Sequence, residues 1–197
     1  MSSPELSGEF VTLRPLRESD AELTLLWRQG NRAALLNRGA ETVAQQAEWI
    51  RSRPADEHNF MIELRDGRAV GMLSLIGIDS ANRHAESARF LIGDEEAVKG
   101  IPAAVEAMKM LYELAFETLG LERVWGTVAS ENPLMVKWQR YLGMQQEGVL
   151  RRHYHLNGGF QDAICLGILA EEYRTTARPR MEALIAAGRR HHEEASR

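Results

Sequence analysis

The feature that most constrains this chain is a long apolar stripe. From residue 101 to residue 119, Val105, Met108, Tyr112, Ala115, Phe116 and Leu119 recur at helical spacing, and Gly120 follows where a left-handed helix cap is needed. A helix with so continuous an apolar face must lie on a second apolar surface, and the flanking sequence supplies one. Residues 9–16, 59–64, 68–78 and 84–92 alternate in side-chain character at the period of a strand, and strand patterns return at 124–129, from 149 onward and at 160–169. Asp66-Gly67 marks a two-residue hairpin, and Asn157-Gly158-Gly159 a second turn. Ser19-Asp20 offers an N-cap to a helix carrying Leu23, Leu26 and Trp27, and a further helix spans residues 42–52 with Val43, Ala47 and Ile50 on one face. Residues 30–41 read as loop or broken helix, residues 1–7 as frayed, and residues 134–142 as a short helix. The order βααβββαβαββ predicts an α/β domain with helices packed on a mixed sheet. A tail follows from residue 171, with a helix around 179–190.

Composition narrows the function classes. A chain of 197 residues suits one domain with an appendage. Its 24 basic and 28 acidic residues give a net charge of −4, which argues against a strongly cationic nucleic-acid binder. No apolar run is long enough to span a bilayer, and the N-terminal residues carry no secretory pattern. The single cysteine, Cys165, cannot close an internal disulfide. These features predict a cytoplasmic protein without a membrane partner.

Several strings, in this order, carry a resemblance. They are Phe10-Val-Thr-Leu-Arg-Pro-Leu, Leu114-Ala-Phe-Glu-Thr-Leu-Gly-Leu-Glu-Arg-Val124, Glu131-Asn132, Leu142-Gly143-Met144, Glu147-Gly148-Val149-Leu150-Arg151 and Asn157-Gly158-Gly159-Phe160-Gln161-Asp162. Together they resemble the GNAT superfamily of acyl-CoA-dependent N-acetyltransferases, in the branch that acetylates ribosomal-protein N-termini, spermidine and amino sugars. The resemblance covers residues 9–173 and implies a mixed, mostly antiparallel central sheet flanked by helices in a domain of residues 1–173; residues 174–197 fall outside it and read as a C-terminal helical extension. It also implies acetyl-CoA as acyl donor, no metal, and direct attack of an amine on the thioester.

The family turn that holds the CoA pyrophosphate matches Lys99-Gly100-Ile101-Pro102-Ala103-Ala104, at the start of the long helix, where unpaired N–H groups and the helix dipole favour an anion. Pro102 stands in place of a glycine. A proline suits the first helical turn but removes an N–H that would bind phosphate. The backbone of Phe90, Leu91 and Ile92 matches the strand that holds the pantetheine arm. Glu86 shares a strand face with His84, Ala88, Phe90 and Ile92, so its carboxyl borders apolar side chains and is a candidate base; pairing with Arg83 or Arg89 is the plainer alternative. Asn132 matches a cofactor-contacting asparagine and equally suits a helix N-cap. Seven residues on, Gln139 stands where many members carry the tyrosine that protonates the thiolate. Glutamine donates a hydrogen bond but supplies no proton, which leaves water, another group or a lost activity as alternatives.

On the acceptor side the resemblance places Trp27, Arg28, Arg32 and His84, with Tyr154 either lining the cleft or packed as an ordinary aromatic. The Trp27-Arg28 pair resembles enzymes of nucleotide-linked amino sugars, where arginine binds phosphate; a solvated helix face, with Asn37 and Arg38 beyond it, is the alternative. Residues 78–83, leading to Ala85-Glu86, resemble spermidine acetyltransferases. The acceptor therefore stays open among an amino-sugar nucleotide, a polyamine and a peptide N-terminus, with a small-molecule amine favoured. The competing class is a non-catalytic acyl-CoA-binding protein. A homodimer is left open. Residues 191–194, His-His-Glu-Glu, read as solvated charge rather than a metal site, and Cys165 as a small core residue.

Overall fold

A computed structural model describes residues 3–37 and 39–195, without the side chains of Arg32 and of residues 191–195. The readings of Arg32, Arg38 and residues 191–194 as side chains therefore lie outside the described residues. Strands β1 (Leu6–Ser7), β2 (Val11–Pro15), β3 (His58–Leu64), β4 (Ala69–Asp79), β5 (His84–Ile92), β6 (Arg123–Ala129), β7 (Gln145–Leu156) and β8 (Gly159–Leu169) form one sheet in the order β1-β2-β3-β4-β5-β6-β8-β7. Every described pairing is antiparallel except β5 with β6. The helices are α1 (Ala21–Gln29), α2 (Val43–Arg51), α3 (Ala103–Glu113), α4 (Pro133–Tyr141), the single turn α5 (Ala170–Glu172) and α6 (Arg178–Ala195).

The apolar stripe forms the core as its spacing requires. Met108, Tyr112, Ala115 and Phe116 are buried against Val11, Leu13, Phe60, Ile62 and Leu75 of the sheet. The helix is not uniform, however. Residues Leu114–Thr118 widen into a π-turn before Gly120 takes the expected left-handed φ of 64°. The carboxylate of Glu106, also buried, accepts the backbone N–H groups of Glu9, Phe10 and Val11 at 2.7–2.8 Å, tying α3 to the start of β2. The N-terminal segment is accordingly not wholly frayed: Leu6 and Ser7 pair with Leu13 and Thr12.

Local chemistry explains two other departures. Asp20 precedes α1 but its side chain does not cap it; the carboxylate instead takes two hydrogen bonds from the Arg14 guanidinium at 2.7 and 2.8 Å. Leu26 faces solvent at 66% exposure, while Ala21, Thr24, Leu25 and Trp27 form the inner face of α1. Elsewhere the turn chemistry held. Asn157 and Gly158 both adopt positive φ between Leu156 and Gly159, as a two-residue hairpin needs. Thr42 caps α2 and Gln45 completes its capping box.

The C-terminal segment is part of the body. Tyr173 and Ala177 are buried with the main core, as is Met181 on α6, and Ile185 further along α6 is buried too. Helix α6 runs along α3: Arg178 lies 3.8 Å from Glu113 near one end, and Gly188 packs on Pro102 at the other.

Candidate active site

The site begins where the sheet splits. Strands β5 and β6 pair only through His84↔Arg123, Ala85↔Val124 and Glu86↔Trp125. Beyond that point each continues, bonded to its outer neighbour, while residues 87–92 and 126–129 have no partner across the gap. Unpaired strand edges inside a sheet present N–H and C=O groups to an extended ligand, which adds to them as a strand would. Glycine permits the close approach at the vertex: a Cβ on Gly126 would lie 2.9 Å from the carbonyl oxygen of Ser87. Arg89, at a left-handed φ of 57°, puts a bulge in β5, so that β4 register slips between Met72 and Ser74. The bulge breaks the alternation predicted for this strand, and residues 86–90 all line the cleft.

The cleft measures about 620 Å³. Its walls bring Arg28, Glu86, Phe90, Asn132, Gln139 and Tyr154 together. Trp125, which that reading did not single out, lines it too; its strand alternation gave no signal that the sheet opens beside it. Trp49 of α2 forms another wall and receives the Arg53 and Arg89 guanidinium groups over its ring, at 4.3 and 5.0 Å.

Glu86 occupies the vertex of the split. The cations suggested as its partners are engaged elsewhere: Arg83 lies 3.7 Å from Glu122, and Arg89 donates to Glu57 at 2.7 Å. Burial pushes the Glu86 carboxyl above the ordinary carboxylate range, and the charge of Arg89 opposes this less strongly. Tyr154 reaches across from β7 and its hydroxyl is hydrogen-bonded with Thr127 Oγ1 at 2.5 Å. Burial raises its hydroxyl above the usual phenol value, with the neighbouring Glu86 charge acting in the same direction. Gln139 is buried in α4 with no hydrogen-bond partner for its Oε1. Asn132 caps α4 through Met135 N–H at 3.2 Å while it also borders the cleft.

Other expected residues stand apart. Trp27 is core, not pocket wall: it fills the space above Gly93, where a Cβ would meet the indole at 2.2 Å. His84 lies before the split, 3.8 Å from Asp79, and does not line the cleft. Leu91 and Ile92 bury their side chains, leaving only backbone to a ligand, whereas Phe90 stacks on Trp138 at 4.8 Å.

At the helix start, Gly100 takes a φ of 77° and turns the chain into α3. The N–H groups of Lys99 and Ile101 are spent on Glu96 and Val98 carbonyls, so these two do not serve an anion. Pro102 sits at the N-cap and not inside the first turn, with its carbonyl accepting from Glu106 N–H at 3.0 Å. Its ring faces α6, where a Cβ on Gly188 would lie 2.7 Å away. The proline thus serves helix packing. Ala103, Ala104 and Val105 form the first turn, whose N–H groups have no partner within the helix, and that turn with exposed Lys99 suits a pyrophosphate.

Residues 11–145 match the family described as the acetyltransferase (GNAT) domain. The chain belongs to that family. A spermidine N(1)-acetyltransferase of Escherichia coli (strain K12) is 28% identical over 173 residues, covering 85% of this chain and 90% of that protein. A putative ribosomal N-acetyltransferase, YdaF, of Bacillus subtilis (strain 168) is 34% identical over 110 residues, 56% of this chain and 58% of that protein. The crystal structure of spermidine N-acetyltransferase from Vibrio cholerae in complex with CoA and spermine superposes with a TM-score of 0.75 at 25% identity, covering 85% of this chain and all (100%) of that one. The fold is therefore the GNAT fold, and the protein is an acetyl-CoA-dependent N-acetyltransferase. The divergent strand edges and the first turn of α3 fit the pantetheine and pyrophosphate of such a donor. No described helix is long and apolar enough to cross a membrane, and no described group of His, Cys, Asp or Glu is arranged to hold a metal.

Proposed function

We propose that the enzyme acetylates the primary amine of a small molecule, with Glu86 as general base and Tyr154 as proton donor. The observation that carries this is the position of Glu86: an unpaired, half-buried carboxyl at the vertex of the split sheet, facing the cleft. The thioester lies between the open edges, and the amine nitrogen attacks its carbonyl carbon. The N–C bond forms, the C–S bond breaks, and the nitrogen's proton passes to Glu86. The departing sulfur takes a proton from Tyr154, the one phenol among the described residues lining the cleft. Gln139 holds the acceptor or the sulfur by hydrogen bonding and moves no proton. Spermidine is the acceptor named for the Escherichia coli relative, so polyamines are the first acceptors to try, followed by amino sugars. The same reading takes the enzyme to be cytoplasmic and a homodimer, the long exposed edge strand β7 offering a surface for association.

The test is calorimetric titration with acetyl-CoA and with CoA, followed by thiol release over a panel of amines. Saturable binding with amine-dependent thiol release supports the reading. Absence of binding, or turnover undiminished in Glu86→Gln, overturns it.

A further inference from the structure

Arg89 holds a backbone conformation that usually falls to glycine. Its φ is 57°, inside β5 and beside the open edge, and such a φ is costly once a Cβ is present. The side chain, by contrast, is fully engaged. Asn59, Ser74 and Ala88 stand opposite one another in register across β3, β4 and β5. From the next residue along, Arg89 reaches over β4 to β3. Its guanidinium donates to both carboxylate oxygens of Glu57, at 2.7 and 3.2 Å, and to Asn59 Oδ1 at 2.8 Å. Asn59 Nδ2 donates to Glu57 at 3.1 Å, and its Oδ1 also accepts from the buried Ser74 hydroxyl at 2.7 Å. The Trp49 ring of α2 lies against the guanidinium at 5.0 Å. Burial draws the Glu57 carboxyl upward, but the hydrogen bonds from Arg89 and Asn59 outweigh it and hold that carboxyl below the ordinary range. The pair therefore stays charged at any pH where an amine is a nucleophile.

We propose that Arg89 is a positioning residue: anchored on Glu57 and Asn59, its side chain holds the left-handed bulge of β5 and so keeps Glu86 and Phe90 together on the cleft. The kinetic consequences rest on the acetyltransferase reading above; the placement of the strand does not. Strict alternation would turn every second residue of 86–90 away from the cleft, and with the bulge all five border it. Strain of this kind persists where surrounding contacts over-determine it. Without its anchor, β5 is free to relax toward plain alternation and to re-aim its open edge.

Arg89 also brings charge. The charged or titratable groups that border the cleft with Glu86 are Arg28 from α1, Arg89 from β5, and His153 and Tyr154 from β7. Burial raises the Glu86 carboxyl, and the Arg89 cation opposes it. Two variants separate placement from charge. Arg89→Gly leaves the backbone angle accessible but removes both anchor and cation. Glu57→Gln weakens the anchor and leaves the cation. Each should lower kcat by about tenfold or more, as for a misplaced catalytic group. The double variant should lose little more than the worse single one, because both remove the same contact. The acid limb of kcat/KM should move to higher pH in Arg89→Gly and should not do so in Glu57→Gln. Arg89→Lys should return the limb to its place and recover only part of kcat, because it restores the charge without the fork.

Backbone hydrogen exchange reads the placement without any turnover. Amides 87–92 should exchange faster in Arg89→Gly and Glu57→Gln, while those of α3 keep the parent's rates. A kcat within about twofold of the parent in Arg89→Gly, losses that multiply in the double variant, or unchanged exchange at 87–92 would each overturn the proposal. Exchange that quickens equally in α3 would also overturn it, making Arg89 a residue of general stability. Failure of the acetyltransferase reading registers separately, as absence of thiol release by the parent with every amine, and the exchange rates still decide the role of Arg89.

Discussion

A carboxyl group does base chemistry only if it is ionised when the amine arrives, so the elevated Glu86 value makes a prediction about pH. Protonation of the free carboxyl removes the base. The kcat/KM profile should therefore fall on its acid side through a midpoint above the ordinary carboxylate range. Glu86→Gln should lower kcat by about 10²-fold and erase that limb, with the acetyl-CoA KM little changed. A retained limb would assign it to another group. Tyr154→Phe should lower kcat by a smaller factor, because a CoA thiolate is a weak base that water can protonate. At this scale the sequence was informative where chemistry is local. Glu86 borders the cleft from a strand, and Asn132, Gln139 and Arg28, which the resemblance singled out, border it too. It misled where placement depends on a distant neighbour. Trp27 is captured by Gly93, and His84 falls before the split, and neither contact has a signature in its own strand or helix.

Elements set the shape of the cleft, and the vertex between β5 and β6 is its tightest point. Because a methyl on Gly126 would meet the Ser87 carbonyl at 2.9 Å, Gly126→Ala must push the strands apart just beyond the last paired residues, Glu86 and Trp125. Backbone yields little there, so the expected cost is about 1–3 kcal/mol of stability, as for other overpacked sites. A displaced Glu86 should reduce kcat more than it raises the KM for acetyl-CoA. Denaturant unfolding and steady-state rates measure the two effects, and a variant matching the parent in both would show that the vertex is compliant. The strands themselves were legible, since alternation, Asp66-Gly67 and Asn157-Gly158 fix their number and turns apart from the short β1. The split was not. It opens beside a bulge at Arg89, which reads in sequence as an ordinary strand residue.

At the scale of the whole molecule the question is what the C-terminal helix does, since it lies beyond the residues that match the family. Its polar composition suggested an appendage, because most of its turns face solvent and only one side is apolar. That side, however, buries Met181 in the same core cluster as Tyr173, Tyr112 and Phe116, and buries Ile185 as well. The ion pair of Arg189 with Glu9 is exposed by comparison. Burial of an aliphatic side chain contributes about 1.5–3 kcal/mol, whereas an exposed pair contributes less than about 1 kcal/mol. Deleting residues 178–197 should therefore cost roughly 3–6 kcal/mol, a large share of a typical domain's stability. Arg189→Ala should shift the unfolding midpoint only slightly. The deletion also uncovers the Pro102 ring at the start of α3, so acetyl-CoA affinity should weaken even where the shortened chain still folds, with substrate held below its unfolding temperature. Equal midpoints for the deletion and Arg189→Ala would mean that α6 is a charged tether, and that the buried face of α3 closes without it.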